Sequence, residues 1–258
     1  MNPYLSGSQL YGDDFTPDQI EDWFRDEANG YYSLADRNKP ERYSYNALNW
    51  YHGYSHLPSA RFFHNVLGMG SAFGGELSAV LDRSGSITIL EPASGFHNKR
   101  FQYVVPTPTG LMPFADASFD LMVSFGVLHH IANVSTVFRE MVRCLTSGGY
   151  ILLREPVVSM GNWNHPRPGL TKRERGIPPA HLARLIEDTG LRVIRQARCC
   201  FSLSRHLRYL GKGLPFDRRW SVAFDSAVCK LPWPSTYHAT HWWQKFRATS
   251  AFYVLHKP

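Results

Sequence analysis

The chain has 258 residues, of which 43% are hydrophobic and 19% charged. That is enough for one large core with additions and short for two full domains. It contains no internal repeat, no low-complexity tract, no basic start followed by an apolar run and no apolar stretch of bilayer length, so a soluble, cytoplasmic protein is expected. The formal charge of +7 is uneven: residues 200–248 hold eight Lys or Arg against two Asp, whereas the first sixty lean acidic. Such a surface suits an anionic partner, although solubility is its commoner reason. Cys144, Cys199, Cys200 and Cys229 lack zinc-type or redox-type spacing, which points to reduced thiols.

Thr16-Pro17-Asp18-Gln19 predicts a helix start, with Thr at the N-cap, Pro at the first helical position and Gln placed for a capping box. The helix runs through Ile20, Trp23 and Phe24, and its early acids suit the positive end of the dipole. Tyr43 to Leu57, dense in aromatics, predicts a further helix or helix pair. Core packing is its expected role, with a lid over a ligand as the alternative. His52 and His56 are four apart, but Gly53 lies between them and no third ligand accompanies them, so no metal site is assigned.

Phe62, Phe63, Val66 and Leu67 form an apolar run that stops at a small-residue turn from Gly68 to Gly75. A helix should follow with Leu77, Val80 and Leu81 on one face, ending at Arg83 to Gly85. The next strand, Ile87 to Leu90, is branched and apolar, as a parallel strand buried on both faces requires, and it delivers Glu91 at its carboxyl end. That arrangement reads as a nucleotide-cradling βαβ unit. Small residues at Gly70, Ser71, Ala72 and Gly74 allow close approach to backbone, and an acid about 20 residues beyond such a turn can accept hydrogen bonds from two ribose hydroxyls.

Only about one helical turn fits between Ala93 and Arg100. Phe101 to Val105 reads as the third strand, Pro106 to Gly110 as a rigid loop and Phe119 to Phe125 as the fourth strand, broken by Gly126. A helix from about Val134 to Leu145 should end in a left-handed cap at Ser147-Gly148-Gly149, before a fifth strand from Tyr150 to Leu153. A helix from Pro178 to Gly190 and a sixth strand from Leu191 to Ile194 follow. The closing stretch from Ala251 to Pro258 is a last strand. The intervening fifty residues are rich in aromatics, among them Tyr209, Trp220, Trp242 and Trp243.

The run from Met112 to Pro156, MPFADASFDLMVSFGVLHHIANVSTVFREMVRCLTSGGYILLREP, resembles the central signature of class I S-adenosylmethionine-dependent methyltransferases. In that family a proline-phenylalanine turn, an FD-initiated strand, a VLHH-type turn and an L-x-x-GG-x-hydrophobic strand recur in this order. The resemblance spans roughly residues 60 to 195 and implies an α/β, Rossmann-like methyltransferase sheet of parallel strands with an antiparallel last strand and helices on both faces. It divides the chain into an N-terminal helical lid segment (1–60), a core (61–200), an aromatic and basic insertion (201–248) for a substrate cap or dimer contact, and the last core strand (249–258). It implies S-adenosylmethionine as cofactor, held by Gly70, Ser71, Ala72, Gly74, Glu91, Pro92, Thr107, Phe125 and Gly126. The chain departs from the family at Gly68, where an acid is usual, at Ala72, where glycine is usual, and at Thr107, in place of an acid that reaches the adenine. A narrower similarity, from Leu153-Arg154-Glu155-Pro156 through Ile177-Pro178, is to bacterial methyltransferases encoded with glycan-assembly and secondary-metabolite enzymes.

A sulfonium methyl is already activated, so the protein must align an acceptor and, for a hydroxyl, remove its proton. His130, then His129 and Glu155, are the candidate bases, because they follow the fourth and fifth strands and imidazole ordinarily titrates near 6.5. Arg154 and Glu155 could instead pair with each other. The leading expectation is O-methylation of a small-molecule acceptor, a sugar or phosphorylated metabolite, by a chain that binds no nucleic acid and could form a homodimer. N- or C-methylation of a natural product and a non-catalytic nucleotide-binding partner subunit are the alternatives, and nicotinamide dinucleotide binding is a minor fourth.

Overall fold

A computed structural model describes residues 2–34, 44–163, 165–167, 169–204, 206–207 and 215–258. Tyr43 and Tyr209, named above, lie outside them. Strands β1 (Phe63–Met69), β2 (Ser84–Leu90), β3 (Gln102–Val104), β4 (Phe119–Phe125), β5 (Leu145–Pro156), β6 (Arg192–Phe201) and β7 (Ala248–His256) form one sheet in the order β3-β2-β1-β4-β5-β7-β6. The first five pair in parallel, and β7 runs antiparallel to both its neighbours. The order of strands reverses between β1 and β4, so their carboxyl ends open the crevice in which such sheets hold ligands.

Alternation along the central strands divides the core in two. Leu67, Met122, Ile151 and Leu153 face Val137, Phe138 and Met141 of α4 (Val134–Cys144) and Leu182, Leu185 and Ile186 of α5 (Pro179–Asp188). Val66, Leu121, Val123 and Leu152 face the other way, toward Leu48 of α3 (Asn46–His52), toward Leu77 and Val80 of the segment after β1, and toward Val222 of α6 (Arg219–Val228). Helices therefore cover both faces, as continuous apolar runs in the strands require.

Several elements differ from expectation. Residues Gly75–Arg83 form a 3₁₀ helix, not an α-helix, with Leu77 and Val80 buried at its three-residue period. A nine-residue connection climbs about 18 Å as 3₁₀ and only about 13.5 Å as α, and this short link must travel back along a seven-residue strand. Helix α4 stops at Cys144 without a left-handed cap; Leu145 is already extended, and Gly148, at φ +75°, serves a break in register with β4 between Phe119 and Leu121. Strand β3 is shorter than expected and β6 reaches Phe201. The link after β2 is, as expected, a single 3₁₀ turn at Ser94–Phe96.

The insertion, 202–247, is tied to the α3 face: the buried carboxylate of Asp225 in α6 accepts the N–H groups of Cys200 and Phe201 at 2.8 and 2.7 Å. At the opposite end of the chain, the short helix α1 (Pro3–Ser6) precedes α2 (Pro17–Leu34). The capping box at the start of α2 forms as expected, the Thr16 N–H reaching Gln19 Oε1 at 2.9 Å and the Gln19 N–H reaching Thr16 Oγ1 at 3.5 Å. Arg175 fastens this segment to the core. Its fully buried guanidinium donates to the carbonyls of Tyr11 (2.7 Å), Leu128 (3.4 Å), His129 (3.0 Å) and Ala132 (3.0 Å), and lies 4.9 Å from the centre of the Trp23 ring. Burial lowers its pKa to about 10, so it stays charged at neutral pH.

Replacing Arg175 by Met keeps the volume and leaves these buried carbonyls without donors. At about 1–3 kcal/mol for each buried group left unpaired, Arg175→Met should cost roughly 3 kcal/mol or more in denaturant unfolding, and protease should cut near residues 10–16 sooner. An unchanged unfolding midpoint would show that the guanidinium does not hold this segment.

Candidate functional site

A cleft opens at the carboxyl ends of β1, β2 and β4. One side is built from Met69, Gly70, Leu90, Glu91, Pro92 and Thr107, the other from Gly126, Val127, His130 and Ile131. Ile20, Trp23, Phe24 and Glu27 of α2 cover it. Among the described residues, none from the insertion lines it, and its cover comes from the N-terminal helix.

Glu91 stands on the cleft side of β2. It is 1% exposed, and among the described residues its two oxygens accept the N–H groups of Ala93 (3.1 Å) and Ala72 (3.2 Å), with burial raising its pKa. A carboxylate has about four acceptor positions, so capacity remains for hydroxyl donors. Gly70 has φ +55°, and a Cβ there would meet Val127 at 2.9 Å; Gly126 has φ +75°. Both conformations favour glycine and let a ligand approach the main chain. An acid with spare acceptor capacity, two bare glycines and apolar walls from Leu90, Met112 and Ile131 fit a nucleoside.

Behind the turn is an acid that the sequence did not single out. A side chain at Gly68 would collide with Ser71 Oγ at 2.6 Å, and that hydroxyl donates to Glu76 Oε1 at 2.6 Å. Burial of the Glu76 carboxyl pushes its pKa up to about 7. Ser71 therefore turns inward. Ala72, at φ +46°, holds a left-handed conformation that glycine adopts with less strain, and its N–H is spent on Glu91. Gly74 packs under Phe101, while Phe125 points to the opposite face among Tyr54, Phe252 and Arg154. Of the expected cofactor residues, Gly70, Glu91, Pro92, Thr107 and Gly126 line the cleft, and Ser71, Ala72, Gly74 and Phe125 stand behind it.

The turn carrying the two histidines is clamped from both sides. Glu155, fully buried, accepts the N–H of Val127 and of Leu128 at 2.9 Å, the N–H of His129 at 3.3 Å and Nδ1 of His129 at 3.0 Å. It neither lines the cleft nor pairs with Arg154, whose guanidinium stacks 4.0 Å from the centre of the Tyr45 ring. A base must reach its substrate, so Glu155 is placed to hold the turn and not to take a proton. His129 is also behind the wall, and burial, with the neighbouring His130, lowers its pKa to about 4. His130 does line the cleft. Its Nδ1 lies 2.8 Å from Glu27 Oε2 and 3.3 Å from Glu174 Oε2, and its carbonyl accepts Trp23 Nε1–H at 2.7 Å. Thr171 Oγ1 and the N–H of Arg173 also donate to Glu27, and these partners outweigh burial to lower its pKa; burial raises that of Glu174. Glu27, Glu174 and Arg175 lie 44 to 103 residues from the histidines in sequence, so no local spacing announced them. His52 is buried against Phe252 with a pKa of about 4 from burial, and it takes no part in the cleft.

The raised pKa of Glu76 means that the native state holds a proton which the unfolded chain gives up near 4.5, so this group's stabilisation is full below pH 4.5 and is lost as pH rises through about 7. Glu76→Gln removes that dependence. Relative to the parent, its unfolding free energy should improve by on the order of 2 kcal/mol between pH 5 and pH 8, allowing for the partial exposure of the residue around its buried carboxyl. A constant difference across that interval would contradict the buried carboxyl.

A family profile for the methyltransferase domain matches residues 67–153. No curated protein matches the chain. Among solved structures, an S-adenosylmethionine-dependent methyltransferase from Mesorhizobium loti is 13% identical with a TM-score of 0.54, over 81% of this chain and 97% of that one. The 1,6-didemethyltoxoflavin-N1-methyltransferase of Burkholderia thailandensis, solved with its substrate and S-adenosylhomocysteine, is 15% identical with a TM-score of 0.54, over 94% and 91%. The N-methyltransferase NodS of Bradyrhizobium japonicum, solved with S-adenosylhomocysteine, is 14% identical with a TM-score of 0.53, over 90% and 98%. At such identity these likenesses bear on the fold alone. Strand order and the antiparallel β7 give this chain the Rossmann-like methyltransferase fold, within which residues 67–153 match the methyltransferase domain.

Proposed function

We propose that the chain transfers the methyl group of S-adenosylmethionine to a hydroxyl of a small acceptor, with a sugar or sugar-containing metabolite as the acceptor class. The observation that carries this reading is that one cleft joins a buried ribose-type carboxylate, Glu91, to a carboxylate-held histidine, His130. Bound S-adenosylmethionine supplies a methyl group on a sulfonium. Glu91 binds the ribose hydroxyls, while Gly70 and Gly126 leave room at the main chain. Helix α2 excludes water, and Ile20, Phe24 and Leu111 offer an apolar wall to the acceptor.

His130 takes the hydroxyl proton. Glu27 accepts a hydrogen bond from Nδ1, and that tautomer puts the basic lone pair on Nε2. The same carboxylate stabilises the imidazolium that forms, and the Trp23 bond to the His130 carbonyl keeps the ring from drifting with its turn.

Calorimetry with S-adenosylhomocysteine tests the cofactor half. Charge-assisted hydrogen bonds are worth about 1.5–3 kcal/mol, so Glu91→Ala should bind tenfold to a hundredfold more weakly. Equal affinity in a folded variant would remove Glu91 from the site.

The base is tested on whichever acceptor a screen with methyl-labelled S-adenosylmethionine finds. His130→Ala should lose about a hundredfold to ten-thousandfold in kcat with cofactor affinity kept. Glu27→Gln should lower kcat less, since the amide oxygen still accepts from Nδ1 but no longer carries the charge that offsets the imidazolium. Less than a tenfold loss in His130→Ala would leave alignment as the source of rate, and tight cofactor binding with no methylated product would favour the partner-subunit role.

A further inference from the structure

Four side chains from three separate stretches meet at the edge of the cleft: Glu27 of α2, His129 and His130 of the turn after β4, and Glu174 of the loop after β5. Glu174 Oε2 lies 3.3 Å from Nδ1 of His130 and 3.9 Å from Nε2 of His129, and the three ligand atoms all fall within 4.8 Å of one another. Glu27, His129 and Glu174 are each less than a tenth exposed.

Even with the Thr171 hydroxyl beside Glu27 and Glu174, the hydrogens in this cluster are too few for its acceptors. Glu155 is an acceptor already engaged with three backbone N–H groups, so the 3.0 Å contact requires the ring hydrogen of His129 on Nδ1. Nε2 of His129 therefore turns a lone pair toward an oxygen of Glu174. Nδ1 of His130 has one hydrogen to offer and two carboxylates before it, Glu27 at 2.8 Å and Glu174 at 3.3 Å. A proton on Glu174 could bridge to one neighbour only. A cation bonds to all of them together.

We propose that Nε2 of His129, Nδ1 of His130 and the Glu174 carboxylate form a binding site for one divalent transition-metal ion of the zinc type, with Glu27 as the fourth donor. Imidazole nitrogen and carboxylate oxygen are the donor set such ions take. Bonds of about 2.0–2.1 Å in a tetrahedron set donors roughly 3.3 Å apart, so the 3.3 Å between Glu174 and His130 needs no change, whereas the 3.9 Å to His129 must close and the 2.8 Å between Nδ1 of His130 and Glu27 must open by rotamer adjustment. The Glu155 bond to His129 is the outer carboxylate partner that orients a ligating imidazole. An ion there would bind α2, the histidine turn and the loop after β5 to one centre. It would also occupy Nδ1 of His130 and leave the hydrogen on the other ring nitrogen, so metal ligand and proton acceptor are alternative states of one histidine. The site itself does not depend on the proposed reaction.

The test uses the full chain, stripped with a chelator and titrated with zinc against a chromophoric competitor, then with cobalt(II) for its visible spectrum. One ion per chain is expected, with a four-coordinate cobalt spectrum free of thiolate charge transfer, and a melting temperature that rises with zinc. Glu174→Gln, nearly isosteric, should lose about a hundredfold or more in zinc affinity and the thermal response, while the metal-free variant keeps its melting temperature and its S-adenosylhomocysteine affinity. His129→Asn serves as the second variant and should lose the ion likewise. Absence of stoichiometric zinc binding, a thiolate signature from the cysteines, or affinity unchanged in both variants would overturn the site.

Discussion

A buried carboxylate at the end of the fifth strand holds the functional turn of this molecule in place. Glu155 accepts three successive backbone N–H groups, from Val127 to His129, and a ring nitrogen of the last. Arg175 takes the carbonyls of Leu128, His129 and Ala132. A fully buried anion and a fully buried cation thus grip one short turn through its amides and its carbonyls, with the charges balancing across it. Desolvating both ions is costly, and only a full set of hydrogen bonds offsets it. With its polar groups taken, the turn has little freedom to move His130 relative to the cleft.

The same grip extends to the N-terminal segment. Arg175 reaches the carbonyl of Tyr11 and lies over Trp23, whose indole donates to the His130 carbonyl. Asp13 accepts the N–H and the hydroxyl of Ser135 at 2.8 and 2.5 Å, joining this segment to the start of α4. Helix α2 is therefore placed over the cleft by polar contacts made at both ends of the histidine turn, and it delivers Glu27 to His130. Cover and chemistry come from one element, far in sequence from the core it serves.

Features written in neighbouring residues were legible. Apolar runs marked β1, β2, β4 and β5, Gly126 marked the strand break, and the acid at the end of β2 announced Glu91. Pairings across the chain were not. Glu27 looks like one acid among several on an acidic helix, and Arg175 sits in the charged run Lys172-Arg173-Glu174-Arg175 that reads as solvated surface. The suspected pair Arg154–Glu155 fails for a simple reason: successive residues of a strand point to opposite faces, so Glu155 goes to the histidine turn and Arg154 to Tyr45 on the α3 side. The same rule sends Phe125 away from a cleft that Gly126 lines. The helix after β1 misled because Leu77 and Val80 satisfy both the α and the 3₁₀ period.

The account stands or falls on where the nucleoside sits relative to His130. A crystal structure of the chain grown with S-adenosylhomocysteine tests this most directly. The account predicts the ribose on Glu91, the ligand's main body between Gly70 and Gly126, and the sulfur directed toward the space between His130 and α2. A ligand bound elsewhere, or one whose sulfur faces away from the histidine turn, would contradict it.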